Sequence, residues 1–477
     1  MAGPYSRVDL GSGGQVDLYL LKFDRSGRLR SPQALGRVME ILPRHTDVYF
    51  LCHGWNNPHE EAVAKYTTFI RGYAAQRQRL GLPAPDGYRP LVVGAIWPST
   101  AWLLPGEQGP DIAGSRPGDA AGTDEQEELL GRLREDLDEE TYTRLADSLR
   151  GTDRLDRQEA EAVARILLDS LAHDGYGGGP LEDDEVPTPA EVVDAGRILE
   201  AVSSPGTAVP ASDPDDFSGV DGGGEAESGA SPDIAGDSKI DPRWLLRMAT
   251  VWRMKSRAGT VGAIGIAPVL QDFLEKSDVR VHLVGHSFGA RVMLSAATVQ
   301  QARRKIYSML LLQPAVNRWC FADKVVDRGV PGGYQPVPDR LDRPLVATFS
   351  LHDVPLHDIF HLAVRGASLG EPTIAAVGSP DKYGALGGYG PKGVEHRLTH
   401  RRAVREGGAY GLAGLEPGRI VEVDGDVDGV KVPGLDSRPE GPAIAGHGDI
   451  NSTVTWWLLH TLTAPVGAAA PGPLPEG

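Results

Sequence analysis

The sequence predicts an α/β protein with a mostly parallel central sheet, helices on both faces and one large acidic insertion. Three observations predict it. Short apolar runs bounded by turn residues alternate with longer runs of helical period, the pattern of strands buried on both faces. The alternation breaks near Pro105 and resumes in the same style after Ser238, so the stretch between reads as an insertion into one continuous fold. The chain, at 477 residues, is long enough to bury one large core that carries such an insertion.

In chain order, strands are expected at 16–23, 47–52, 91–96, 279–284, 309–312, 345–350 and 420–423. Each is a run of β-branched, aromatic or aliphatic residues of strand length. Helices are expected at 32–41, 60–80, 244–256, 261–276, 290–304 and 453–462, where apolar positions recur at three and four. Within the insertion, acidic helical pattern runs over 124–149 and 156–171, with a third segment over 190–201. From 203 to 238 the chain is rich in Ser, Pro, Asp and Gly with almost no large apolar residue, a composition whose burial cannot offset chain entropy, so disorder is expected there. The same holds for the tail, 466–477. Segments 1–104 and 239–465 thus form two halves of one domain around an insertion spanning 105–238. That insertion reads either as a solvated appendage or as a lid or protein-docking element over the site.

The net charge is −17, from 48 basic and 65 acidic residues, and the basic residues form no run that could track a phosphate backbone. Nucleic acid is therefore a poor partner. Cys52 and Cys320 both lie in apolar stretches and read as reduced core thiols. No apolar stretch reaches the ~18 residues of a transmembrane segment, and residues 1–16 lack a signal-peptide pattern, so a cytoplasmic location is expected. No His-Glu-x-x-His, paired-cysteine or phosphate-cradle motif occurs, so neither a metal nor a cofactor is expected.

Gly-x-Ser-x-Gly occurs twice, around Ser287 and around Ser368. A nucleophile elbow needs a strand feeding into the turn and a helix leaving it. The run 279–284 before Ser287 and the helical pattern from Ala290 meet that requirement. Ser368 follows a helical pattern and runs at once into Glu371-Pro372, which continues no helix. Ser287 is the candidate nucleophile.

Acyl transfer needs two backbone N–H groups aimed at the oxyanion. Phe288, after the nucleophile, supplies one. The strand at 47–52 runs into His53-Gly54-Trp55-Asn56-Asn57, where a glycine allows close approach, so Gly54 or Trp55 supplies the second. Trp97, closing the strand at 91–96, is read with His53 and His286 as substrate-binding. Triad order then asks for an acid after a later strand and a histidine beyond it. Asp353 follows the strand at 345–350, and His447 sits in Gly446-His447-Gly448 between the last strand and the last helix. His396 and His400, in a stretch rich in Gly and Arg, are the competing bases, while His282 and His460 read as structural.

These motifs resemble the α/β-hydrolase superfamily, in its serine esterase and lipase branches. The likeness is greatest to uncharacterised bacterial hydrolases with a His-Gly-Trp-Asn loop, a Trp-Pro-Ser strand end and a Gly-His-Ser-Phe-Gly elbow, here at 53–56, 97–99 and 285–289. The resemblance covers 16–104 and 240–462 and leaves the insertion unmatched. It implies the hydrolase fold and a serine mechanism acting on a small-molecule acyl ester, thioester or lipid. The rival readings are an acyltransferase or peptidase using the same triad, and an inactive hydrolase-fold module that binds partners through its insertion.

Overall fold

The computed structural model describes residues 3–9, 15–82, 87–100, 134, 137–150, 152, 154–173, 188–203, 239–326, 329–360, 384–426 and 441–464. The expectations of disorder over 204–238 and 466–477, and the second Gly-x-Ser-x-Gly at Ser368, lie outside the described residues.

Among the described residues, nine strands form one sheet: β1 (Ser6–Asp9), β2 (Gln15–Lys22), β3 (Asp47–Cys52), β4 (Pro90–Ile96), β5 (Arg280–His286), β6 (Ser308–Leu312), β7 (Leu345–Phe349), β8 (Leu398–Arg402) and β9 (Ile420–Asp424). Their order is β1-β2-β4-β3-β5-β6-β7-β9-β8. Every neighbouring pair is parallel except β1 with β2. The fold is therefore of the α/β class, with a mixed, mostly parallel sheet.

Among the described residues the longer helices are α1 (Pro32–Ile41), α2 (His59–Arg79), α3 (Glu139–Leu149), α4 (Arg157–His173), α5 (Pro189–Ser203), α6 (Pro242–Thr260), α7 (Ala267–Lys276), α8 (Phe288–Val299) and α9 (Thr453–Thr463). Alternating strand residues feed two separate cores, as the period of two requires. Val48, Phe50, Val281 and Leu283 pack with α1 and with α3 through α8. Tyr49, Leu51, Val284 and Leu310 pack on the other face with Tyr66, Phe69 and Tyr73 of α2 and Trp457 of α9.

Four differences from the sequence reading have physical reasons. The strand β8 replaces the expected loop around His400; its residues are half-buried or exposed and charged, so it carries no hydrophobic signal. The strand β1 lies where no strand is expected, since only Val8 of its four residues is buried. The helix expected to reach 304 stops at Val299, because Gln300 turns extended and its side-chain Oε1 accepts the Ala302 N–H. The helices expected at 244–256 and 261–276 run together through a π-helical turn, Val261–Ile266. There a Cβ on Gly262 would lie 2.3 Å from the Val292 carbonyl oxygen, so glycine lets this turn press against α8. The described helices of the insertion are not solvated on all sides: Leu145, Leu149, Val163, Leu167 and Val193 join the core that contains α6 and α8.

From β3 the chain builds outward to β4 on one side, then returns to lay β5 on the other side of β3. The carboxyl ends of β3 and β5 thus flank a topological switch point, where open α/β sheets form their crevice.

Candidate active site

Strand β5 ends at His286 and α8 begins at Phe288, leaving Ser287 as the turn between them. Its backbone stands at φ 56° and ψ −127°, a region that non-glycine residues rarely occupy. The turn is held from three sides. The Ser287 N–H donates to the Leu312 carbonyl at 3.1 Å, and its own carbonyl accepts from Ala290 and Ala315 at 3.0 and 3.2 Å. The flanking glycines are steric necessities: a Cβ on Gly285 would lie 2.6 Å from the Ala290 Cα, and one on Gly289 2.4 Å from the Cys52 carbonyl oxygen. Their bareness lets α8 start hard against the end of β3.

His447 Nε2 lies 2.8 Å from Ser287 Oγ, and its Nδ1 lies 2.8 Å from Asp353 Oδ2. All three side chains are buried. A carboxylate can only accept, so Nδ1–H donates to Asp353 and the Nε2 lone pair faces the serine hydroxyl. The Leu356 N–H donates to Asp353 Oδ1 at 3.1 Å and fixes the second carboxylate oxygen. The loop carrying His447 is anchored in turn: His286 Nε2–H donates to the His447 carbonyl at 2.8 Å, and Gln313 Nε2 reaches the Gly446 carbonyl at 3.3 Å.

The loop after β3 lies against the serine. A Cβ on Gly54 would sit 2.6 Å from Ser287 Cβ, so only glycine permits this approach. The Gly54 carbonyl is tied to His53 Nδ1 and Asn57 Nδ2, each at 3.0 Å. In a planar trans peptide the N–H points opposite the C=O, so the Trp55 N–H is directed away from those two donors. It makes no backbone hydrogen bond among the described residues. Phe288 opens α8, so its N–H has no carbonyl one turn back to bond. The rings of Trp55 and Phe288 pack edge to face at 6.3 Å, and Phe360 lies beyond Phe288 at 6.5 Å.

The three residues read as substrate-binding, His53, His286 and Trp97, make contacts inside the protein. His53 is buried, stacks on Trp97 at 5.7 Å and accepts the Trp97 N–H on Nε2 at 3.4 Å. The Trp97 indole N–H donates to the His53 carbonyl at 3.0 Å, so Trp97 braces the loop. His286 supports the His447 loop, as described above. Burial pushes the imidazole of His53 down to about 4, and burial, with the nearby His447, holds His286 well below the usual histidine range. Both rings are therefore neutral near pH 7.

The competing bases lie elsewhere. His400 pairs with Glu422 at 3.1 Å on the outermost strand, four strands from β5 and so about 19 Å away at ~4.8 Å per strand. His396 faces Asp323 at 3.5 Å. Asn57, Lys65, Tyr66 and Gln313 were missed as site residues; only Asn57 carried a signal, by its place in the run after Gly54.

Among the described residues no group of His, Cys, Asp and Glu is placed to hold a metal ion, and no helix is long and apolar enough to cross a membrane. Comparison with family models, with curated proteins and with solved structures finds no match to this chain. Chemically, the arrangement can withdraw the Ser287 proton and hold negative charge against backbone N–H groups.

Proposed function

We propose that this chain is a serine hydrolase of the α/β-hydrolase type that cleaves carboxylic ester or thioester bonds. One observation carries the reading: two 2.8 Å hydrogen bonds link Asp353, His447 and Ser287, and the serine stands in a left-handed turn against the Gly54 backbone. In the proposed reaction Ser287 Oγ attacks the acyl carbonyl while His447 Nε2 takes its proton. The carbonyl oxygen becomes an oxyanion facing the Trp55 and Phe288 N–H groups. His447 then returns the proton to the departing alcohol or thiol, leaving an acyl-serine. Water attacks next with the same imidazole as base, releasing the acid and restoring the hydroxyl. Asp353 stabilises the imidazolium that forms in each half-reaction. The half-buried Trp55 ring beside the elbow supports a small-molecule acyl ester or lipid as substrate.

The experiment is hydrolysis of p-nitrophenyl esters of graded acyl length. Turnover by the wild-type protein is expected to be lost in Ser287→Ala and His447→Ala and kept in His400→Ala. Turnover that survives Ser287→Ala, or that disappears with His400→Ala, contradicts the assignment.

A further inference from the structure

Lys65 takes no part in the proton chain, yet it is joined to the loop that faces Ser287. It lies on α2, and its Nζ donates to Asn57 Oδ1. The Asn57 Nδ2 in turn donates to the carbonyls of Gly54 at 3.0 Å and Trp55 at 2.6 Å. A single amide therefore carries the ammonium on one side and two loop carbonyls on the other. The next residue of the same helix holds the beginning of the loop: the Tyr66 hydroxyl accepts the His53 N–H at 2.9 Å and donates to the Ala95 carbonyl. Ser99 closes the far end. Its carbonyl accepts the Asn56 N–H at 2.8 Å, and its hydroxyl accepts the Asn57 N–H at 3.2 Å and donates to the Asn57 carbonyl at 3.0 Å. Asn56 has φ 51°, so the loop is kept in a backbone state it would not choose by itself.

The geometry points to Lys65, acting through Asn57, as a positioning residue that locks the Gly54–Trp55 peptide with its N–H free to receive an oxyanion. The inference rests on the hydrolase reading. A hydrogen bond from a cation polarises the amide it reaches, so Asn57 becomes a stronger donor to the two carbonyls. With the Gly54 oxygen held by Asn57 and His53, the peptide cannot flip and present its carbonyl to the developing negative charge. The ammonium is also close enough to be felt at His53 and His286, where it adds to the lowering that burial causes. The same field favours negative charge on the substrate oxygen.

The test compares wild type, Lys65→Met, Lys65→Arg and Asn57→Asp on a p-nitrophenyl ester, together with binding of an aryl trifluoromethyl ketone, whose serine adduct carries an oxyanion. In Lys65→Met, kcat is expected to fall about tenfold, less than the ~100-fold cost of deleting an oxyanion donor itself. KM and the melting temperature should stay near wild type, and the ketone Kd should rise by the same factor as kcat falls. Lys65→Arg should recover most of the loss. Asn57→Asp, which keeps an oxygen for Lys65 but removes the amide donor, should lose at least as much as Lys65→Met. An active wild type whose Lys65→Met variant keeps its kcat and ketone affinity overturns the inference alone. So does a variant whose loss appears in KM and melting temperature instead. A folded wild type that turns over no ester and binds no ketone overturns the hydrolase reading and this inference with it.

Discussion

At the two ends of one sheet, a serine, a histidine and an aspartate form hydrogen-bonded chains of nearly the same dimensions. At the carboxyl ends of the strands, Ser287, His447 and Asp353 are linked at 2.8 and 2.8 Å. At the amino ends, Ser308 Oγ lies 2.8 Å from His282 Nδ1, and His282 Nε2 lies 2.9 Å from Asp47 Oδ1. In both chains the carboxylate accepts the imidazole N–H hydrogen bond and the remaining nitrogen faces a hydroxyl. Everything around them differs. Ser308 opens an ordinary strand, whereas Ser287 stands in a left-handed turn against the Gly54 backbone. His282 is sealed between the rings of Tyr49 and Tyr307, and Asp47 is shared with Arg280, which donates from Nε at 2.8 Å and Nη2 at 3.0 Å. The strained turn, the adjoining Gly54 backbone and a loop-borne imidazole are what the second trio lacks.

The largest expected effect separates the two serines. Ser287→Ala should reduce ester turnover by about 10⁴-fold or more, while Ser308→Ala should leave kcat/KM within about twofold of wild type, as a change remote from the site does. Equal losses in steady-state assays would erase the distinction. Next comes the loop: Gly54→Ala, whose Cβ would sit 2.6 Å from Ser287 Cβ, should lower kcat by about 100-fold. The melting temperature should change far less than the rate.

The amino-terminal trio should answer to stability instead. Asp47→Ala strips the partner from His282 and from Arg280, which is partly exposed, and should cost about 2–3 kcal/mol in urea unfolding. Hydrolysis by the folded fraction should be unchanged. The smallest effect is its pH dependence. Burial pushes the Asp47 carboxyl up, but hydrogen bonds from His282, Arg280 and Thr46 outweigh it and take it down to about 2. A lowered acid stabilises the fold above its unfolded value near 4. That contribution should be lost as pH falls from about 4 toward 2, and an Asp47→Ala melting curve should lack this component. A wild type and variant with parallel acid profiles would contradict it.

The sheet was legible where strands are buried on both faces, because β3 and β5 are short runs rich in buried aliphatic and aromatic residues and bounded by turns. The strand β8 was not, since an exposed charged edge strand has no apolar period to read. Ser287, Asp353 and His447 could be picked by chain order and local context, each being tied to the end of an element. The internal contacts of His53, His286 and Trp97 could not: they depend on partners distant in sequence, such as the His447 carbonyl. Lys65 was invisible for a similar reason. A lysine on an amphipathic helix reads as solvated, and only the fold of the loop brings Asn57 back onto it. The histidine at 282 was readable as structural, but its serine and aspartate come from neighbouring strands and left no joint pattern.

The most direct measurement is the site of covalent labelling. The folded wild type, treated with a fluorophosphonate and digested, should carry a single phosphonyl adduct on Ser287, absent in Ser287→Ala and retained in Ser308→Ala. A folded protein that takes up no label, or one whose adduct maps to another residue, would contradict the account.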